Sequence, residues 1–108
     1  ERSGNSLRRT RLILRAFDSA YGGPRDALAA ASASGDTQAL SRAAHTLKGL
    51  LLDVGASHAA GIAGSLEQRA KTCADSLSLD EEASRLITSA RRIASLIQQV
   101  VELMPNAQ

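Results

Sequence analysis

The 108-residue chain carries 13 Lys and Arg against 11 Asp and Glu, a formal net charge of +2, and 44% of it is apolar. That is enough apolar material for one packed domain and too much for a disordered chain, while the charge is too mild to point to nucleic acid. Aromatic residues make up 2% of the chain, so the core must be Leu, Ile, Val and Ala; no apolar run approaches the roughly 20 residues of a membrane span, and no signal peptide is visible.

Residues 1–5 read as a polar, frayed lead-in to a domain covering residues 1–108. Ser6 is a candidate cap for a first helix, on which Leu7, Thr10, Ile13, Leu14, Phe17 and Tyr21 share one face. Arg8, Arg11 and Arg15 stripe the opposite face, which reads as solvated. Gly22-Gly23-Pro24 punctuates the chain, and Pro24 suits the first position of a new helix. The alanine-rich stretch from Arg25 to Ser34 is then a short helix, either separate or continuing the first at an angle, and Gly35 stops it. Asp36 caps the next one, which runs to about Val54 and ends on a left-handed Gly55.

Ser57 opens a further helix with Ala59, Ile62, Ala63, Leu66, Ala70 and Cys73 on its inner side. Gly61 and Gly64 weaken it locally and read as close helix–helix contact. The lone Cys73 excludes an internal disulfide and fits a reducing compartment. Ser78 and Glu81, with Leu77 ahead of them, make a capping-box pattern. The last helix carries Ala83, Leu86, Ile87, Ala90, Ile93, Ala94, Ile97, Val100, Val101 and Met104, and Pro105 stops it. The expected fold is all-α, an antiparallel four-helix bundle with an additional short N-terminal helix.

The helix from Asp36 to Val54 carries the chemistry. Setting Leu40 at zero and advancing about 100° per residue brings Ala44, Leu47, Leu51 and Val54 within roughly 40° of Leu40, on one buried face. His45 falls about 140° away, Lys48 about 80°, Gly49 about 180° and Leu52 about 120°. So His45 faces solvent with a cation one turn on, a glycine beside it and a leucine two turns on. A neutral imidazole is a good nucleophile near neutral pH. A lysine about 5.4 Å along the axis would attract a phosphoryl group arriving at the ring. Glycine inside a helix costs about 1 kcal/mol relative to alanine, offset if a second macromolecule must approach closely. No Asp or Glu lies one turn before or after His45, so a Ser/His/Asp-type triad has no support within this helix.

The run Ala43-Ala44-His45-Thr46-Leu47-Lys48-Gly49 resembles the signature of histidine-containing phosphotransfer (HPt) domains. Ala27-Leu28 and Gly35-Asp36 ahead of it, and Val54-Gly55-Ala56 and Leu66-Glu67 after it, extend the similarity over most of the chain. The departure is Leu50-Leu51-Leu52, where the family usually places small residues. The resemblance implies a helical bundle that accepts a phosphoryl group from a receiver-domain aspartate on the distal nitrogen of His45 and passes it to another receiver. Lys48 would balance the charge of phosphohistidine, Gly49 permit approach, and Thr46 and Leu47 secure the helix.

Leu52, on the histidine's face and with no obvious place in the core, is expected in a receiver-docking patch together with Ser41, Lys71 and Glu67. Glu67 and Lys71 also form an i,i+4 pair that supports the helix locally, and similar positions in the family help hold the histidine's surroundings. The domain itself would need no cofactor; magnesium would sit on the receiver. It would be a phosphocarrier without autonomous kinase activity, with no nucleic-acid partner and no membrane insertion. Its expected place is the cytoplasm, and a start at Glu1 rather than methionine fits the tail of a hybrid, membrane-bound sensor kinase.

Two other functions fit parts of the same pattern. The fold could serve a docking module that binds a partner protein without phosphotransfer, retargeted by Leu50 to Leu52. A basic helical nucleic-acid binder would rest on Arg8, Arg11 and Arg15. His58 lacks the Lys and Gly companions and reads as incidental, and two histidines with one cysteine show no metal-ligand spacing.

Overall fold

The computed structural model describes residues 2–72 and 75–104. Cys73 and Pro105, and with them the expected core cysteine and the stop after the last helix, lie outside the described residues. Among those described, all regular structure is helical: α1 (Arg2–Ala20), α2 (Gly22–Ser34), α3 (Thr37–Asp53), α4 (Ser57–Lys71) and α5 (Ser76–Leu103). α1 takes in residues 2–5, so Ser6 lies inside the helix rather than at its cap.

The additional short helix of the sequence expectation is not a separate rod. Tyr21, between α1 and α2, keeps helical angles (φ −75°, ψ −27°). Its N–H donates to the Phe17 carbonyl at 2.9 Å, and its own carbonyl accepts from Arg25 N–H at 3.0 Å. The hydrogen-bond ladder therefore runs through the junction, and α1–α2 is one bent helix. Pro24 supplies the reason. It has no N–H to give the Ala20 carbonyl and its ring crowds that carbonyl, which kinks a helix without ending it. Phe17 and Tyr21 stack across the bend with ring centroids 5.4 Å apart, and Arg25 lies over the Tyr21 ring at 5.0 Å. Gly22 and Gly23, which read as an end, are absorbed into the helix.

Four rods thus remain among the described residues, joined by short turns into an antiparallel bundle. Gly35 (φ 73°) and Gly55 (φ 76°) take the left-handed conformation that lets the chain reverse. Asp36 caps α3 by accepting from Ala39 N–H at 3.1 Å. The start of α5 differs from the capping-box expectation. Asp75 is the cap and accepts from Ser78 N–H at 3.2 Å, while Ser78 lies within the helix and its hydroxyl accepts from Arg69. Ser32, at the end of α2, donates to Asp80 at 2.7 Å, and Arg69 of α4 pairs with Glu82. Both contacts tie C-terminal parts of their helices to the beginning of α5, as antiparallel neighbours require.

The core is the aliphatic set that the composition demanded. Leu28, Ala44, Leu47, Leu51, Ala63, Leu66, Leu86 and Ala90 are fully buried, each leucine contributing about 1.5–3 kcal/mol by leaving water. α3 and α4 pack against each other along a seam more extensive than that of any other pair, and the buried residues they bring are mostly small: Ala43 and Ala44 on α3, Ala59, Ala60, Ala63 and Ala70 on α4, with Leu47 and Leu66. Side chains this small let two helix axes approach closely, so that groups flanking the seam can reach across it. The N-terminal half of α1 is covered less than its periodicity suggests: Phe17 and Tyr21 are buried, but Leu7 and Ile13 remain exposed.

Candidate functional site

α3 presents its Leu40, Leu47 and Leu51 stripe to the core and turns His45 outward. The imidazole is 67% exposed. Its Nδ1 lies 3.0 Å from Oε2 of Glu67, which comes from α4 across the alanine seam. A carboxylate only accepts, so this contact places the ring proton on Nδ1 and leaves the Nε2 lone pair free when the imidazole is neutral. The pairing answers the absence of an acid on α3: the orienting group comes from the next helix.

Glu67 is buried, its side chain 8% exposed, and it gathers three cationic or potentially cationic groups. Besides His45, Lys71 Nζ lies 3.4 Å from Oε2 and Lys48 Nζ lies 3.5 Å from Oε1. Burial pushes the carboxyl up. The Lys71 hydrogen bond and the charges of His45, Lys48 and Lys71 outweigh that and hold it below its ordinary value. Glu67 is therefore ionised at neutral pH and serves as a fixed anion behind the ring.

The remaining expected site residues divide. Gly49 is exposed, and a Cβ placed on it would meet nothing within 4 Å; its lack of a side chain keeps open the surface beside His45. Leu52 is 55% exposed. In the Leu50 to Leu52 run, Leu51 is fully buried, Leu50 packs partly against the core, and Leu52 projects outward. Thr46 folds back to donate to the Arg42 carbonyl at 3.1 Å, satisfying its hydroxyl on its own helix. Lys71 is 56% exposed at the edge of the Glu67 cluster.

Ser41 and Glu67, grouped with the docking residues on sequence grounds, are both turned inward. Ser41 is buried and donates to the Glu67 backbone carbonyl at 3.4 Å. Both side chains therefore face the interior, and neither offers much surface beside His45.

One signal for the role of Glu67 was present in the sequence. It lies between Ala63 and Ala70 at helical spacing, so it occupies a core register on an otherwise apolar stripe. A carboxylate there must find partners, because an unpaired buried charge is costly. Among the described residues no group of three His, Cys, Asp or Glu side chains could hold a metal ion, and no helix is long and apolar enough to cross a membrane.

Compared with known proteins, residues 13–103 match the family model described as Hpt domain. No curated protein and no solved structure matches the chain.

Proposed function

The chain belongs to the Hpt domain family, a family of phosphocarrier modules in phosphorelay signalling that are not kinases and that interact with receiver domains; from that premise we propose that His45 takes a phosphoryl group from a receiver aspartate and hands it to the aspartate of another receiver. The observation that carries this reading is the 3.0 Å contact between His45 Nδ1 and buried Glu67. It fixes the tautomer whose free nitrogen, Nε2, stands on an exposed ring.

In the forward step the Nε2 lone pair attacks phosphorus. The bond from phosphorus to the aspartyl oxygen breaks, and that carboxylate leaves with the electron pair. The ring becomes cationic while the Nδ1 proton stays against Glu67. In the second step an incoming carboxylate attacks and the P–N bond breaks, returning the pair to Nε2. Such transfers depend mostly on positioning and charge stabilisation. Lys48 neutralises the phosphoryl oxygens, Gly49 admits the receiver surface, Leu52 anchors it, and Lys71 at the cluster's edge contributes positive charge. Magnesium belongs to the receiver. The domain needs no cofactor of its own and acts in the cytoplasm, as a shuttle or as part of a hybrid sensor kinase.

The test is incubation with phosphorylated receiver domains, followed by mapping of the modified residue. An acid-labile phosphate on His45 is expected. Receiver binding without any transfer would replace this reading by that of a docking module.

A further inference from the structure

Lys48 reaches Glu67 by laying its stem along α4, and the place where it does so is Gly64. A Cβ added to Gly64 would stand 3.3 Å from Lys48 Cδ, closer than ordinary van der Waals contact. Gly61, three residues earlier, has nothing within 4 Å of the same position. Neither glycine serves a left-handed turn; among the described residues that conformation belongs to Gly35 and Gly55. Both weaken α4 relative to alanine, yet only one has a side chain lying over it. The stem so lodged ends with Nζ 3.5 Å from Glu67 Oε1, and the lysine side chain is 36% exposed.

Resting on the phosphotransfer reading, we infer that Gly64 is a positioning residue for Lys48: the gap it leaves in α4 seats the lysine stem, so that the ammonium is held on Glu67 beside the His45 ring. A free lysine carries large rotamer entropy that must be lost when it engages a phosphoryl group. Seating the stem in the resting domain removes part of that loss in advance. Gly64 itself touches no reacting atom; it acts only through Lys48.

The experiment compares Gly64→Ala, Gly64→Leu and Gly61→Ala in the intact domain. The first readout is the lysine ammonium signal of Lys48 by nitrogen-15 NMR, on the resting protein with no receiver present. It should shift in Gly64→Ala, lose its Glu67-bound character in Gly64→Leu, and stay as wild type in Gly61→Ala. The second is transfer from a phosphorylated receiver. Gly64→Leu should slow it by about threefold to tenfold, a fraction of the rotamer freedom of one lysine, and Gly61→Ala should not slow it.

In a Lys48→Ala background the effect of Gly64→Leu on transfer should vanish, which separates positioning of Lys48 from general damage to α4. An unchanged Lys48 signal in Gly64→Leu would overturn the inference, as would slowing that persists without Lys48. The NMR readout decides the seating of Lys48 even if the domain proves to bind receivers without transfer, so the two readings fail separately.

Discussion

The chain's two histidines are both exposed, both on helices and only thirteen positions apart, yet their surroundings have little in common. Behind His45 stands a buried carboxylate from the neighbouring helix, itself ringed by Lys48 and Lys71. His58 sits in the first turn of α4, beside a shallow concavity shared with Ser57, Ser89, Arg92 and Ile93. Among the described residues no carboxylate pairs with that ring. Exposure makes either imidazole reachable. What sets His45 apart is the acceptor that holds one ring nitrogen and frees the other, the feature on which its proposed role rests.

The sharpest way to break this comparison is to remove each ring in turn. His45→Gln should abolish the acid-labile phosphate while leaving the helical circular dichroism signal intact. His58→Gln should do neither. A label that survives His45→Gln would show that the acceptor behind the ring is incidental.

Next in size is Lys48→Ala. The side chain is partly exposed and takes no part in the apolar core, so the domain should stay folded, with only a small drop in melting temperature from the lost pair with Glu67. A charge-assisted contact is worth about 1.5–3 kcal/mol, so transfer should slow by roughly ten- to a hundredfold if that contact forms in the transition state. Wild-type rates at saturating receiver would remove Lys48 from the mechanism.

Leu52→Asp addresses the face that His45 has and the His58 corner lacks. Burying one leucine contributes about 1.5–3 kcal/mol, so losing the anchor should weaken receiver binding by roughly tenfold or more. Because Leu52 is 55% exposed, the melting temperature should barely move. A large drop in melting temperature with unchanged receiver affinity would contradict the anchor role.

The sequence was most legible where one helix sufficed to decide the matter. The Gly35-Asp36 stop and cap, the outward placement of His45, and the inward Leu51 beside the outward Leu52 all follow from local spacing. It was least legible where a second helix intervened. Glu67 was visible as a member of an i,i+4 pair with Lys71, but its contact with His45 spans twenty-two positions and depends on how closely the alanine seam brings α3 and α4 together. The same holds for Gly64 under the Lys48 stem. At Pro24 the local rule named the right residue and left two outcomes open, a separate helix or a continuation at an angle; the hydrogen-bond ladder through Tyr21 decides for the bend. At the head of α5, Ser78 fits a capping box by pattern, but Asp75 three residues earlier reaches the N–H first and Arg69 occupies the hydroxyl.

The smallest expected effect concerns what Glu67 adds to stability. Its carboxyl is held below its ordinary value in the folded domain despite burial, through the Lys71 hydrogen bond and the charges of His45, Lys48 and Lys71. In the unfolded chain it returns to the ordinary glutamate value, about 4.3. Over the interval between the two, the unfolded state binds more protons, so stability must fall as the pH falls through it. The contribution is whole above the ordinary value and gone below the folded one. Its size is modest, because the partner side chains are 36–67% exposed and solvent screens such pairs to about 1 kcal/mol or less. Glu67→Gln keeps the shape and an acceptor oxygen while removing the charge. At pH 7 the variant should therefore be less stable than wild type by no more than about 1 kcal/mol, and the gap should close as the pH is lowered from 5 towards 3. The two proteins differ at this one position, so the difference between their denaturation curves reports on Glu67 and the groups paired with it. A gap that stays constant over that range, or widens in acid, would mean that the carboxylate is not held ionised by the cations around it.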